Sequence, residues 1–342
     1  MAQSSDEIVK REIIEHLGTE INGLKLRVFP EGSRDDQDLF SEGGLTFGQD
    51  GLKYGSCDAC WYKKNVEWID PFNHNVFNNA PVIALEGTDA LDRGSRGNAQ
   101  YQRFHHVLGA VKNGLIGVYY LRKGEFPIQH SLYGMAYYAS KYEKGVYLII
   151  DNLEELNDLL NFIDDEKKIS NYINLKLNSM YELFLKDFKI KYGSWEKFAL
   201  KRSTILFEDY VIKHAGRMRR SFTDGDQRGG HIALGEMYLT KYFFYHKKVF
   251  YLWPRMCNED IEYLDKHKSD DKEWNLLRNE PDVQIITIDN LNGVPGNLRK
   301  RFLSVTDIPL KNAALKSYNA SKKILEEGIR TRRIQIDLES II

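Results

Sequence analysis

The chain has 342 residues, enough for one large domain or two of ordinary size. Hydrophobic residues make up 42% of it and charged residues 28%, a balance typical of a globular protein with a buried core. The net charge of −1 excludes a strongly basic chain, so any binding of nucleic acid has to depend on a local basic surface.

The first residues are typical of an amphipathic helix. Ser4 and Glu7 form a capping box and Gly18 is a stop signal, so the pattern predicts a helix between them. This segment lacks the apolar region of a signal peptide, and no apolar run approaches the roughly 20 residues that a membrane span needs. We therefore expect a cytoplasmic protein without membrane contact.

The chain has three cysteines, and two of them form a C-x-x-C pair at Cys57 and Cys60. A structural zinc site needs four ligands, and only Cys257 remains to act beside a histidine. Free thiols in a reducing cytosol are therefore the favoured interpretation, and a zinc site is the alternative.

Strand and helix patterns alternate after a glycine-rich opening over residues 20–60, which predicts turns and short strands. In chain order the predicted elements are a strand VEWID ending at Asp70, a strand VIALE ending at Glu86, a helix over 97–114, a strand LIGVYYL, a helix YGMAYYASKYEK and a strand GVYLIID. The alternation predicts an α/β fold with a mixed central sheet flanked by helices.

A helical segment and a second α/β half follow. The predicted elements are two helices over 152–200, the second reaching about Lys191, then a strand-like TILFEDYVI, a helix HIALGEMYLTKYFFYH, a strand KVFYLW, a helix around 261–277, a strand VQIITID and a helix over roughly 310–328. We therefore divide the chain into an α/β half over 1–150, a helical insert over 151–200 and a second α/β half over 201–342.

The two α/β halves have a similar spacing of predicted helices and strands. Arg96-Gly97 opens a helix that leads to GVYYL, and Arg228-Gly229 opens one that leads to VFYLW at nearly the same distance. An internal duplication would explain the match. Helix–strand units of this size are also common, so coincidence is the alternative.

Carboxylates end two consecutive strands of the first half. Asp70 and Glu86 are joined by a short link, and we expect this link to bring them to the same end of the sheet. Paired carboxylates are the protein ligands that Mg²⁺ uses together with water and a substrate phosphate. A solvated pair without a metal is the alternative.

The residues after Glu86 are dense in groups that bind nucleic acid. Arginine suits phosphates and guanine edges, and glutamine suits adenine edges. The candidates in this segment are Arg93, Arg96, Gln100 and Arg103, with Gln102, His105 and His106 between and after them. An ordinary polar helix face explains any one of them, and their density favours a functional surface.

Asp70, a spacer and VIALEGT together resemble the core of the PD-(D/E)XK nucleases, the fold of most type II restriction endonucleases. The resemblance covers roughly residues 60–150. It implies a nuclease-like core in which Asp70 and Glu86 hold Mg²⁺ and in which Thr88 stands at the third catalytic position. That position usually carries a lysine, and threonine supplies no positive charge. Lys63, Lys64 or Arg93 could supply it instead.

The second half contains a basic loop. Its arginines are Arg217, Arg219, Arg220 and Arg228. In a nuclease such a loop would contact DNA, and its arginines would set the salt dependence of binding. A second acid site at Glu208 and Asp209 and a solvated loop without function are the alternatives.

These patterns predict a Mg²⁺-dependent, site-specific endonuclease that acts on double-stranded DNA. A homodimer is expected, because cutting both strands usually pairs two active sites. Two alternatives stay open: a sequence-specific nucleic-acid-binding protein without catalysis, and an α/β enzyme that binds a phosphorylated small molecule at the glycines of RGSRGN.

Overall fold

The chain divides into two compact units, residues Met1–Ile190 and Lys191–Ile342. The computed structural model describes residues 5–28, 46–89, 98–122, 124–202, 204–214, 227–252, 258–269 and 271–287. The predicted helix over 310–328 therefore lies outside the described residues, as does Cys257.

The first unit is built on a six-stranded mixed sheet. Its strands are β1 Glu20–Ile21, β2 Leu24–Val28, β5 Ala59–Ile69, β6 Val76–Thr88, β7 Ile116–Leu121 and β8 Val146–Ile150, and β3 Thr46–Gln49 and β4 Leu52–Ser56 form a separate hairpin. The sheet order is β1-β2-β5-β6-β7-β8. Strands β1, β2, β5 and β6 pair antiparallel, whereas β6, β7 and β8 pair parallel. The predicted α/β fold with a mixed sheet is thus confirmed.

Helices cover both faces of this sheet. They are α1 Ser5–Leu17, α2 Phe104–Lys112, α3 His130–Tyr142, α4 Glu154–Asn161 and α5 Glu166–Lys191. Leu85 and Ile83 of β6 pack with the apolar residues of α1, α4 and α5. Ala84 of the same strand packs instead with Ala110 of α2. Alternate residues of β6 therefore point to opposite faces, and the face covered by α2 is called the α2 face below.

Gly87 allows helix α1 to approach strand β6 closely. A Cβ built on Gly87 would lie 2.5 Å from Cγ1 of Val9 in α1, so only a residue without a side chain fits there unless Val9 moves. The helix itself ends as predicted at Gly18, which has a φ of +69°.

The predicted helix over 97–114 is two elements. A 3₁₀ turn over Asn98–Tyr101 comes first, and α2 begins only at Phe104, with Arg103 at its N-cap. Gln100 and Arg103 therefore do not lie on one face of a single helix.

The second unit contains a four-stranded sheet of order β12-β11-β10-β9. Its elements are α6 Trp195–Lys201, β9 Thr204–Leu206, β10 Tyr210–His214, α7 Gln227–Phe243, β11 Lys248–Leu252, α8 Asn258–His267, α9 Lys272–Asn279 and β12 Val283–Ile286. Strands β9 and β10 pair antiparallel and the others pair parallel.

Two predictions for this unit need correction. TILFEDYVI is a hairpin of two strands, because its central residues form a turn. The helix expected around 261–277 is divided into α8 and α9, because Asp271 accepts a hydrogen bond from the backbone N–H of Trp274 and caps a new helix. None of the helices that the structure describes is both long and apolar enough to span a membrane.

Candidate active site

Asp70 and Glu86 lie at opposite ends of the same hairpin. Strand β5 pairs antiparallel with β6, and Ile69 pairs with Val76 at the turn. Glu86 is ten residues farther along β6, which at 3.3 Å per residue is a path of about 30 Å. The expectation that the link would bring both carboxylates together is wrong, because a hairpin places the end of one strand beside the start of the next.

The acid that lies next to Glu86 is Asp58, at the entry to β5. The Asp58 N–H donates to the carbonyl of Leu85, and the Gly87 N–H donates to Oδ2 of Asp58, both at 2.8 Å. Asp58 directly precedes β5, and these two bonds join it to the residues on either side of Glu86, Leu85 and Gly87. Both acidic residues are buried, at 6% and 1% exposure.

Two basic side chains from the start of α2 lie next to Glu86 on the α2 face. Arg103 Nη1 lies 2.8 Å from Glu86 Oε1, and His106 Nδ1 lies 3.2 Å from the same oxygen. One helical turn separates the two residues, so the first turn of α2 directs both at the carboxylate. Arg103 was predicted to contact DNA, and in the described structure its guanidinium is paired with an acid.

A buried tyrosine completes the row of side chains. Tyr119 of β7 pairs with Glu86 in the parallel register, and the charges of both Glu86 and Asp58 act on its hydroxyl group. Burial raises the pKa of Tyr119, and the charge of Glu86 raises this pKa further. The phenol is therefore neutral at physiological pH and is available only as a polar, uncharged group.

Thr88 follows Glu86 on the same face of β6, and it is buried as well. Lys63 and Lys64 cannot bring a positive charge to it. They pair with Ala80 and Asn79, six or more residues before Glu86 on β6, and Lys63 lies 3.5 Å from Asp164. The expectation that Lys63 or Lys64 supplies the positive charge missing at Thr88 is wrong, because both lysines lie farther toward the turn of the hairpin. Arg103 is the cation that the described structure brings to the acids.

Gln100 is a structural residue. Its side chain is buried, its Nε2 donates to the carbonyl of Pro127 at 3.0 Å, and its Oε1 accepts from the N–H of Gln129 at 2.8 Å. Both ends of the amide are thus used to hold the segment that leads into α3. The predicted base contact by this residue is wrong, because its hydrogen-bonding groups face the interior.

Replacing Gln100 with alanine should therefore destabilise the fold. We expect the free energy of unfolding to fall by about 1–3 kcal/mol, because two hydrogen bonds to the backbone of the 127–129 segment are lost. The half-buried neighbour Gln102 is the control, and Gln102→Ala should cost less. Urea unfolding gives the energies. A Gln100→Ala protein of unchanged stability with weakened DNA binding would contradict this role.

Asp70 stabilises its own turn. Its Oδ1 accepts from the N–H of Phe72 at 2.9 Å, and its carbonyl accepts from the N–H of His74 at 2.8 Å. Burial raises the pKa of this carboxyl above its ordinary value of 3.8, and the bond from Phe72 lowers it by less. The folded state therefore holds the Asp70 proton more tightly than the unfolded state does.

This pKa shift predicts that Asp70→Asn is more stable than the wild type at pH 7. A raised carboxyl pKa costs stability as pH rises from 3.8 through the folded pKa, and the amide avoids this cost while keeping the acceptor for Phe72. The advantage should vanish below pH 3.8, where the aspartate is protonated in both states. Unfolding in urea across this pH range is the measurement, and a variant that loses stability at pH 7 would contradict the assignment.

The structure describes only one of the other arginines that were predicted to contact DNA. Arg228 lies in α7, while Arg93, Arg96, Arg217, Arg219 and Arg220 lie outside the described residues, so their DNA contacts stay predictions. Glu208 and Asp209 are exposed in the turn between β9 and β10. This turn precedes β10 and so lies at the opposite end of that strand from Lys213.

The C-x-x-C pair consists of free thiols, as predicted. Cys57 and Cys60 are buried without a disulfide, and burial raises the pKa of the Cys60 thiol, which disfavours the thiolate that zinc requires. The Cys57 thiol donates to the carbonyl of His106 at 3.4 Å. The pair thus joins the segment that carries Asp58 to the helix that carries His106.

Comparison with protein-family models, with curated proteins and with solved structures finds no match to this chain. Its function has to be argued from its own residues.

Proposed function

We propose that this protein is a Mg²⁺-dependent, site-specific endonuclease that hydrolyses double-stranded DNA, with a core of the PD-(D/E)XK type. The observation that supports the proposal is the pair of buried acids, Asp58 and Glu86, since Asp58 is hydrogen-bonded to the residues on either side of Glu86. In the resemblance given above, Asp58 takes the position of the first acid in place of Asp70. Glu86 keeps the position of the second.

The donor set fits Mg²⁺. This ion binds one or two protein carboxylates and completes its octahedron with water and substrate phosphate oxygens. Asp58 and Glu86 supply that number of ligands, and the bonds of Asp58 to Leu85 and Gly87 fix its position next to β6. When bound, the ion would polarise the phosphate and lower the pKa of the attacking water.

Arg103 would take the role of the lysine that Thr88 does not supply. Its guanidinium is beside Glu86 and is one-third exposed, so it can contact a phosphate at the acid pair as well as the carboxylate. In the hydrolysis, an oxygen–phosphorus bond forms from water, and the phosphorus–oxygen bond to the departing sugar breaks. Arg103 would stabilise the negative charge that grows on the phosphate oxygens, and the sugar oxygen would leave with a proton from solvent.

DNA would be held by residues beyond this centre. The predicted arginine clusters remain the candidates, and a homodimer remains the expected assembly because two strands have to be cut. Arg103 is no longer among the groups proposed to read bases, because it is directed at Glu86.

The test is incubation of the purified protein with plasmid and phage DNA, in Mg²⁺ and in EDTA. Discrete fragments in Mg²⁺ alone are the expected result, and the ends of the fragments would define the site. A retained gel shift without cleavage in either condition would overturn the catalytic proposal and favour a sequence-specific binding protein.

A further inference from the structure

The second unit repeats the connectivity of the first. In the first unit an antiparallel hairpin, β5–β6, is followed by α2, the parallel strand β7, α3 and the parallel strand β8. In the second, the hairpin β9–β10 is followed by α7, β11, two helices and β12, with the same pairing at each step. Four strands in the same order and the same directions make these two cores topologically equivalent.

The equivalence extends to single positions. In the first unit, Glu86 of β6 pairs with Tyr119 of β7. In the second unit, Lys213 of β10 pairs with Tyr251 of β11 at the same step of the parallel ladder. The two tyrosines thus occupy matching positions, and Lys213 occupies the position of Glu86.

Lys213 has an internal partner from the helix that matches α2. Its Nζ lies 3.0 Å from Oε2 of Glu236 in α7 and 2.5 Å from the carbonyl of Arg202. The lysine is 3% exposed, and Tyr251 beside it donates to the carbonyl of Ala233 in the same helix. Relative to Glu86 and Arg103, the pair has its charges exchanged: the cation is on the strand and the acid is on the helix.

We infer that the second unit is a copy of the first core in which the Lys213 ammonium occupies the place of the metal, so that only the first of these two described cores carries a cleavage centre. The inference rests on the proposed function for the chemistry of that centre. An ammonium group held within a few ångströms repels a divalent cation strongly at low dielectric. Glu236 neutralises the ammonium, which leaves no net negative charge at the pair to attract Mg²⁺.

The binding test counts metal ions on the full chain, with Mn²⁺ as the probe and electron paramagnetic resonance to measure free ion. We expect one Mn²⁺ for the wild type, none for Glu86→Gln and one for Lys213→Gln. Asp58→Asn replaces Glu86→Gln if the latter does not fold. Two ions bound by the wild-type chain, or one retained by Glu86→Gln, would overturn the single centre.

The cleavage test uses supercoiled plasmid, on which even one cut strand is visible. Glu86→Gln should neither nick nor linearise it, and Lys213→Gln should cut at the wild-type rate. Metal-dependent nicking by Glu86→Gln at a rate near that of the wild type would reveal a second centre and overturn the inference. A wild-type chain that binds one Mn²⁺ without cutting DNA would overturn the endonuclease and support the single metal site. A chain that binds no Mn²⁺ would overturn both.

Discussion

Glu86→Gln should lower the rate of Mg²⁺-dependent DNA cleavage by at least about 10³-fold. The substitution removes one negative charge from the acid pair but keeps the size of the side chain and an oxygen that can accept from Arg103. A metal held by Asp58 alone would bind weakly and would lie off the position that activates water. Asp58→Asn should cause a loss of the same order, because both carboxylates would ligate the same ion in the proposed centre.

Asp70→Asn is the matched control for both variants. It also exchanges a buried carboxylate for an amide in the same hairpin, but at the opposite end of it. Cleavage by this variant should stay within about threefold of the wild type, a change of less than 1 kcal/mol in the barrier. DNA affinity, measured by gel shift in Ca²⁺ or EDTA, should be retained by all three. Wild-type cleavage by Asp58→Asn together with its loss in Asp70→Asn would reverse the assignment of the first acid.

Arg103→Ala should lower both the cleavage rate and the stability. We expect cleavage to fall by about 10²–10³-fold, because a cation that stabilises charge on the phosphate is lost. We expect the free energy of unfolding to fall by about 1–3 kcal/mol, since Glu86 is then buried without its partner. The loss is smaller than for a fully buried pair because a third of the Arg103 side chain is exposed to solvent.

Addition of Mg²⁺ separates the two effects of Arg103. In Arg103→Ala a bound divalent ion would take over the neutralisation of Glu86, so Mg²⁺ should raise the melting temperature of this variant more than that of the wild type. Arg103→Lys keeps the charge without the planar fork and should recover part of the activity. Equal cleavage by the alanine variant and the wild type would show that the guanidinium only supports the fold.

Strand content was predictable from the sequence, and the pairing of the acids was not. VIALE, GVYYL and VYLII are apolar runs bounded by glycine and polar residues, and each is a buried strand. The direction of pairing depends on the link, and PFNHN between Asp70 and Val76 is too short for anything except an antiparallel return. Applied to that link, the same rule would have directed the search for the first acid to the start of β5, where Asp58 lies.

The roles of the side chains around Glu86 could not be predicted from the sequence, for a different reason. Gln100 and Arg103 belong to the same polar segment, and composition does not distinguish a residue that braces a loop from one that pairs with an acid. The difference arises because a 3₁₀ turn ends before α2 begins, which rotates the two side chains apart. Only the tertiary arrangement of the 127–129 segment and β6 determines what each side chain meets.

The hydrogen bonds that fix Asp58 would also limit which ions the proposed centre accepts. Its N–H donates to Leu85 and its Oδ2 accepts from Gly87, so the two carboxylates cannot move apart without breaking these bonds. Mg²⁺ binds its ligands at about 2.0–2.1 Å, whereas Ca²⁺ needs about 2.3–2.6 Å and a larger number of oxygens. An inflexible pair of ligands therefore selects by ionic radius, and Ca²⁺ should compete for this centre without supporting the reaction.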